Sequence, residues 1–373
     1  MVIHWPGSGP TRQVLFNCPV AREMNETIHA IALLSGGLDS TLALAAIRAQ
    51  GIEVTALSFS TGFCIVDHHR AMGEHAVKRG KSVRNEALRA GADLAVQVEI
   101  LDVSREYLPV VAHPRHGYGA GMNPCIDCRI FMFRKAKVYL EEHGAHFVFT
   151  GEVLGQRPMS QHRKALEIIE GESGLQGLLL RPLSAKLLPP TIPEQKGWVD
   201  REKLYGINGR SRKEQLRLAR EFGITDFPQP SGGCCFLPDK VYAARLRDIF
   251  THKLKDSFTL DDVALIKVGR HFRLSPQTKA VVGRHEGENE FLLRFAAGRT
   301  LLRVASHPGP TAILDGPVTE AELATAARLA ARYSDANEGD TVTLHWERNG
   351  DEGELLVEPL PESDIFPFRI GKP

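Results

Sequence analysis

The sequence predicts an α/β protein: a parallel sheet with helices on both faces, joined to a small α+β domain at the carboxyl side. Three observations carry that prediction. Apolar runs of strand length alternate with segments of helical period through residues 29–150, as in a sheet wrapped by its crossover helices. Two of the runs pass directly into polar, glycine-bearing turns, 35–40 and 150–157. A parallel sheet sets such turns together at the carboxyl ends of its strands, where ligands bind. From Phe258 the pattern changes to short strands, one alanine-rich helix and a hairpin.

The elements follow in order. Residues 1–28 contain Pro, Gly and Asn without a clear period and read as an irregular lead-in. HAIALL, residues 29–34, has the continuous apolar character of a buried strand. TLALAAIRAQ is a helix stopped by Gly51, and IEVTALSFS, residues 52–60, is the second strand. A helix is predicted over 81–89, a strand over 94–100 and a long Pro- and Gly-bearing loop over 101–124. A helix over 130–142 and a strand over 146–152 complete a domain assigned to residues 29–190. A linking segment, 191–257, takes in the end of a proline-rich connector (181–200), a basic amphipathic helix (209–224) closed by Gly223, and a cysteine doublet. The last domain, 258–373, has short strands to 305, a helix over 318–334 and a hairpin from 341–348 and 353–359.

At 373 residues, 43% hydrophobic and 24% charged, the chain has material for two or three domains and is not a disordered polymer. No stretch approaches the roughly 18 apolar residues of a membrane span. The start lacks the cationic and apolar regions of a secretory signal, so the expected compartment is the cytoplasm. A net charge of +1 permits a nucleic-acid partner if opposite charges occupy different faces. Six cysteines are too few for a disulfide scaffold of this size. Cys125 and Cys128 form C-x-x-C, and Cys234 and Cys235 are adjacent, which points to metal binding or thiol chemistry. Cys18 and Cys64 read as inert thiols, and His68 and His69 beside Asp67 as a solvated loop.

The turn SGGLDS, residues 35–40, lets the backbone approach an anion, and the helix after it offers free N–H groups and a positive dipole end. Ser35 and Ser40 add hydroxyls. Asp39 would repel phosphate, so its place is as a magnesium ligand or a base. This turn resembles the PP-loop of the N-type ATP pyrophosphatases, which have an adenine nucleotide alpha hydrolase-like fold, cut ATP between its α- and β-phosphates and adenylate a carbonyl oxygen. The resemblance implies that Ser35, Gly36, Gly37 and Ser40 hold pyrophosphate and that Asp39 sits near Mg2+. It implies an ATP site completed by Phe59, Thr150 and Gly151.

NPCIDC, residues 123–128, looks like the N-P-C-x-x-C segment of bacterial tRNA 2-thiouridine synthases, and GGCCF, residues 232–236, like their G-x-C-F segment. TGEVLGQ, residues 150–156, is closer to the tRNA 4-thiouridine synthases. Together, over residues 29–250, these motifs imply an ATP-dependent tRNA sulfurtransferase that adenylates a uridine carbonyl and replaces its oxygen with sulfur. Catalysis would rest on Asp39, Cys125, Cys128 and Cys235. Three thiolates suit a 4Fe-4S cluster with one iron open to sulfide, so Cys125, Cys128 and Cys235 are the expected ligands, with Cys234 as the alternative third. A persulfide with a resolving cysteine achieves the same reaction. Two rival functions use the same motifs. One is a PP-loop nucleobase ligase or amidotransferase-like enzyme with structural zinc, and the second is a non-catalytic RNA-binding protein with ATP as ligand. Sulfide or a cysteine desulfurase relay would supply the sulfur.

Arg157, Arg163 and Lys164 follow the fourth strand, and Arg212 and Lys213 belong to the basic helix; the family resemblance places both segments near tRNA. VGRHFRLSPQTKAVVGRHEGENEFL, residues 268–292, resembles the small RNA-binding domain of ribosome-associated quality-control proteins, which makes Arg270, Arg273 and Arg284 candidate RNA contacts. Residues 267–303 hold eight Lys or Arg against three Glu, a patch that the acidic stretch 335–364 conceals in the whole-chain charge. A dimerisation module is the competing reading of this domain, and a homodimer is compatible with either.

Overall fold

A computed structural model describes residues 27–73, 77, 84–228, 235–337 and 339–371. Its first sheet has five parallel strands: β1 (His29–Leu33), β2 (Glu53–Ser60), β3 (Gln97–Asp102), β4 (Phe147–Thr150) and β5 (Leu179–Leu180), in the order β3-β2-β1-β4-β5. In β1, Ala30 and Ala32 face one layer while Ile31 faces the other. The first layer holds Leu42, Leu44 and Ile47 of helix α1 (Leu38–Arg48), and the second holds Ile130, Phe133 and Ala136 of helix α5 (Cys125–Glu142). Burial on both faces is why this strand reads as an unbroken apolar run.

Three segments depart from the sequence reading. The stretch expected as a loop over 101–124 contains helix α4 (Ser104–Ala112). The Asp102 carboxylate accepts the Ser104 N–H at 3.0 Å, and Tyr107 and Val111, one turn apart, are buried. Pro109 lies inside this helix, and that proline made the segment look like a loop. His68 and His69 lie on helix α2 (Ile65–Met72), not in a solvated loop. The His68 ring packs edge-on to Phe236 and Phe291, partners far away in sequence, at 5.5 and 6.1 Å. Helix α5 begins five residues before the expected start, and Cys125 and Cys128 therefore lie in its first turn.

Helix α3 (Glu86–Asp93) is capped by Asn85, whose side chain accepts the Ala87 and Leu88 N–H groups. The beginning of the helix expected over 81–89, the lead-in to residue 26, Cys18 and Cys234 lie outside the described residues. Helix α6 (Arg163–Ser173) and the single turn α7 (Ile192–Gln195) precede the basic helix α8 (Lys213–Glu221), which packs Leu218 and Ala219 into the layer of α1.

The second sheet is antiparallel, with seven strands: β6 (Arg270–Arg273), β7 (Lys279–Val282), β8 (Thr300–Val304), β9 (Thr311–Asp315), β10 (Val342–Arg348), β11 (Asp351–Val357) and β12 (Arg369–Ile370). Their order is β11-β10-β8-β9-β7-β6-β12. Helix α12 (Glu320–Arg332), started by a capping box of Thr319 and Glu322, buries its alanine face on this sheet. Helices α11 (Glu286–Leu293) and α13 (Glu362–Ile365) complete the module.

Between the sheets, helices α9 (Lys240–His252) and α10 (Leu260–Leu265) share one apolar cluster with Phe63, Tyr107 and Met122. That cluster carries the segments bearing Cys64, Cys128 and Cys235, while α5 joins it to the parallel sheet.

Candidate active site

The turn after β1 is shaped by close packing. Gly36 adopts φ +74, and a Cβ there would lie 2.1 Å from the carbonyl carbon of Glu86, at the start of α3. Gly37 leads into α1 with extended backbone, and no side chain caps the helix. Its first N–H groups therefore face outward with the positive end of the helix dipole, ready for an anion. Ser35 Oγ lies 3.1 Å from Ser40 Oγ, and the Ser40 hydroxyl donates to the Gly37 carbonyl at 2.9 Å. The turn after β4 closes against this one. A Cβ on Gly151 would lie 2.4 Å from Ser40 N and 2.5 Å from the carbonyl carbon of Asp39. Thr150 is buried at the end of β4, and Phe59 is half-buried near the end of β2.

Asp39 lies in the first turn of α1. Gln156 donates to its Oδ2 at 3.1 Å, while its buried Oδ1 lacks a hydrogen-bond partner. Burial pushes the carboxyl above its ordinary range. The side chains of Gln156 and Gln215 and the charges of Arg212 and Arg157 pull the other way. Gln215, wholly buried on α8, lies close enough to Asp39 to favour its carboxylate, although neither of its amide atoms completes a full hydrogen bond. A buried carboxylate oxygen without a donor is suited to a hard cation, so this site fits Mg2+. Sequence reasoning missed Gln156 and Gln215: a glutamine carries no local signal, and both reach Asp39 only through the fold.

The thiols approach from two elements. Cys125 and Cys128 are half-buried in the first turn of α5. Arg129, the next residue, places its Nε 3.5 Å from Glu152 Oε1, and Glu152 directly follows Gly151. One side-chain pair therefore links the thiol-bearing turn to the wall of the glycine-rich turn. Glu152 is also held by the buried Arg181 at 3.1 Å, which in turn reaches Glu170 at 2.9 Å. Cys235 stands opposite Cys64 in an isolated antiparallel bridge. On its other side, Met122 N–H donates to Leu237 O at 2.9 Å, just before the C-x-x-C turn. The sequence marks Cys64 as an inert thiol, and nothing local in it announces the pairing with Cys235.

Among the described residues, no group of three His, Cys, Asp or Glu side chains is gathered to hold a metal ion. Cys234, the alternative third thiolate, lies outside the described residues, and no chemical step is assigned to a cluster or to zinc.

The basic residues fall into two groups. Arg157, Arg163, Lys164 and Lys213 are exposed, and Arg212, half-buried at the start of α8, acts electrostatically on Asp39 together with Arg157. In the antiparallel module, Arg270 stacks 4.2 Å over the Tyr333 ring, and Arg284 pairs with Glu288. Arg273 is bound in two places by Asp248, at 3.0 and 2.6 Å.

Residues 26–186 match the family model described as thiamine biosynthesis protein (ThiI), and residues 269–369 match the NFACT protein RNA binding domain. A tRNA-specific 2-thiouridylase MnmA from Methylobacterium nodulans is 23% identical over 91% of this chain and 88% of its own length. The chain is similar to the PP-loop tRNA thiouridine synthases. A second 2-thiouridylase MnmA, from Rhizobium etli, is 25% identical over 74% of this chain and 61% of its own. Among solved structures, a 4-thiouridine synthetase in an RNA complex with bound ATP shares 23% identity, covering 52% of this chain and 41% of that one, with a TM-score of 0.35. The five-stranded parallel sheet with flanking helices is the PP-loop α/β architecture that the sequence predicts, and the antiparallel module is its smaller companion. Among the described residues no helix is long and apolar enough to cross a membrane.

Proposed function

We propose that this protein is an ATP-dependent tRNA sulfurtransferase. The observation that carries the reading is the joining of two chemistries at one sheet edge. An uncapped helix start with a metal-ready carboxylate lies one Arg129–Glu152 pair away from the C-x-x-C turn. The glycine-rich turn takes the phosphates of ATP, held by Ser35, Gly36, Gly37 and Ser40. Asp39 would bind Mg2+, which neutralises phosphate charge as pyrophosphate departs. A uridine carbonyl oxygen attacks the α-phosphorus of ATP and becomes a leaving group as AMP.

Sulfur then enters through the cysteines. The terminal sulfur of a cysteine persulfide attacks the activated carbon and AMP leaves, forming a disulfide between base and protein. A second thiolate attacks the protein sulfur of that bond, releasing the thiocarbonyl and leaving a cysteine disulfide for an external thiol to reduce. Cys125, Cys128 and Cys235 are the candidates for carrier and resolver. The same three thiolates could instead hold a 4Fe-4S cluster with one iron open to sulfide, and iron and sulfide analysis of the purified protein separates the two routes. The related 2-thiouridylases and the match to an RNA-binding domain support tRNA as the substrate.

Nucleoside mass spectrometry on tRNA from a deletion strain tests the proposal. One thionucleoside should disappear and return on complementation, and its identity gives the base and the carbonyl. An unchanged thionucleoside profile, or purified protein that releases no pyrophosphate with tRNA and ATP, rejects it.

A further inference from the structure

A cavity edged by cationic side chains shares no lining residue with the glycine-rich turn. It has a volume of about 640 Å³ and lies between α9, residues 266–271 and strand β12. Cys235 lines it, and around it stand Lys267, Arg245, Arg270, Arg284 and Arg369. Asp239 is the one carboxylate lining it among the described residues, and it is engaged in capping α9 through the Tyr242 N–H at 2.8 Å. Glu288, outside the lining, offsets Arg284 at 2.9 Å.

The remaining positive charge is held in place rather than neutralised. Arg245 donates to the main-chain carbonyls of Ile266 and Gly269, both at 2.8 Å, and its buried Nε has no hydrogen-bond partner. Burial, followed by the charges of Arg284 and others, lowers its pKa to about 10, so it stays protonated at neutral pH. Burial, Arg284 and Arg369 lower the affinity of Arg270 for its proton as well. Like charges brought together in a partly dry cleft repel one another, and an anion entering there relieves both the repulsion and the missing solvation. Fixed guanidinium forks match the paired oxygens of a phosphodiester. The cavity is of a size that holds a nucleotide-sized ligand. Three of its five cations come from the segment that matches the RNA-binding family model.

We propose that this cleft seats a phosphodiester of the RNA strand and that the carboxyl-side module thereby leads the strand past Cys235. The inference rests on the reading of tRNA as substrate, and it makes the module a guide for the reacting strand rather than a remote anchor.

The test uses the full chain without ATP. Alkylation of Cys235 by iodoacetamide is followed by peptide mass spectrometry that separates it from Cys234. A saturating tRNA transcript should slow labelling of Cys235 several-fold, while inorganic phosphate should not. Arg369→Ala should raise the Kd for the transcript about threefold to tenfold and lower the slope of log K against log salt by about 1. Arg369→Lys should restore most of the slope. Labelling unaffected by tRNA overturns the proposal, as does equal protection by phosphate, which marks a small-anion site. Wild-type affinity and slope in Arg369→Ala overturn it too. If the cleft results hold but the deletion strain keeps every thionucleoside, the sulfurtransferase reading fails and the RNA cleft stands.

Discussion

Replacing Gly151 with alanine tests the joint between the two turns. The added Cβ would sit 2.4 Å from Ser40 N, with Asp39 backbone nearly as close. Reaching an ordinary contact near 3.4 Å means moving the start of α1 and the end of β4 apart by about 1 Å. Both neighbours are main chain, so no side chain can swing aside. Overpacking of this kind costs about 1–3 kcal/mol of stability. A displacement of about 1 Å at reacting groups costs on the order of 100-fold in rate. Gly144→Ala is the control: φ is +61 there and no atom lies within 4 Å, so the variant loses about 1 kcal/mol through backbone strain and nothing at the site. Urea unfolding measures the stability of both variants, and tRNA-dependent pyrophosphate release measures their rates. Gly151→Ala should lose about 100-fold in rate while Gly144→Ala stays within about twofold of wild type. If Gly151→Ala turns over like wild type, the two turns do not jointly form the nucleotide site.

Other outcomes follow from the same geometry. Asp39→Asn should abolish pyrophosphate release yet raise the urea midpoint at neutral pH, because burial disfavours the wild-type carboxylate. Its raised folded-state pKa makes the wild-type contribution most favourable below the unfolded value of 3.8 and lost as pH rises through the folded value, so the advantage of Asn should vanish on acidification. A variant no more stable than wild type at pH 7 counts against a strained carboxylate. Cys125→Ser and Cys128→Ser should each lower thionucleoside formation by at least about 100-fold while pyrophosphate release stays within about threefold, since activation precedes sulfur transfer. Equal loss of both signals would place these thiols in nucleotide binding or folding instead. Arg181→Ala leaves Glu152 buried with its main partner gone and should cost about 3–5 kcal/mol in urea unfolding. A shift under about 1 kcal/mol would mean that Arg129 alone satisfies Glu152.

Much of the fold was legible because its signals are local. The runs at 29–34 and 146–152 are apolar on both faces, and SGGLDS joins strand to helix in the only order that presents helix N–H groups to a ligand. The C-x-x-C spacing showed which thiols to watch, though not that they open α5, because Pro124 obscured where that helix begins. Pro109 hid α4 in the same way, its breaker signal outweighing the apolar pair Tyr107 and Val111. What could not be read was contact across the chain. Gln215 reaches Asp39 from 176 positions away in the numbering, and Cys64 meets Cys235 only once α9 has docked. The motif marks Arg273 as a candidate RNA contact, and only the fold shows that Asp248 pairs with it. Residue type and spacing propose chemistry, while burial decides which groups are available for it.

The shared apolar cluster between the two sheets has a practical consequence for anyone who wishes to study the halves separately. Phe258, Val263 and Ile266 pack with Phe63, Tyr107 and Met122, so the seam where composition changes is not a seam in three dimensions. A protein shortened to end at residue 257 would leave that greasy face open to water and invite clumping. A fragment that retains α10 and stops after Val268 keeps the face covered and has the better prospect of remaining dispersed.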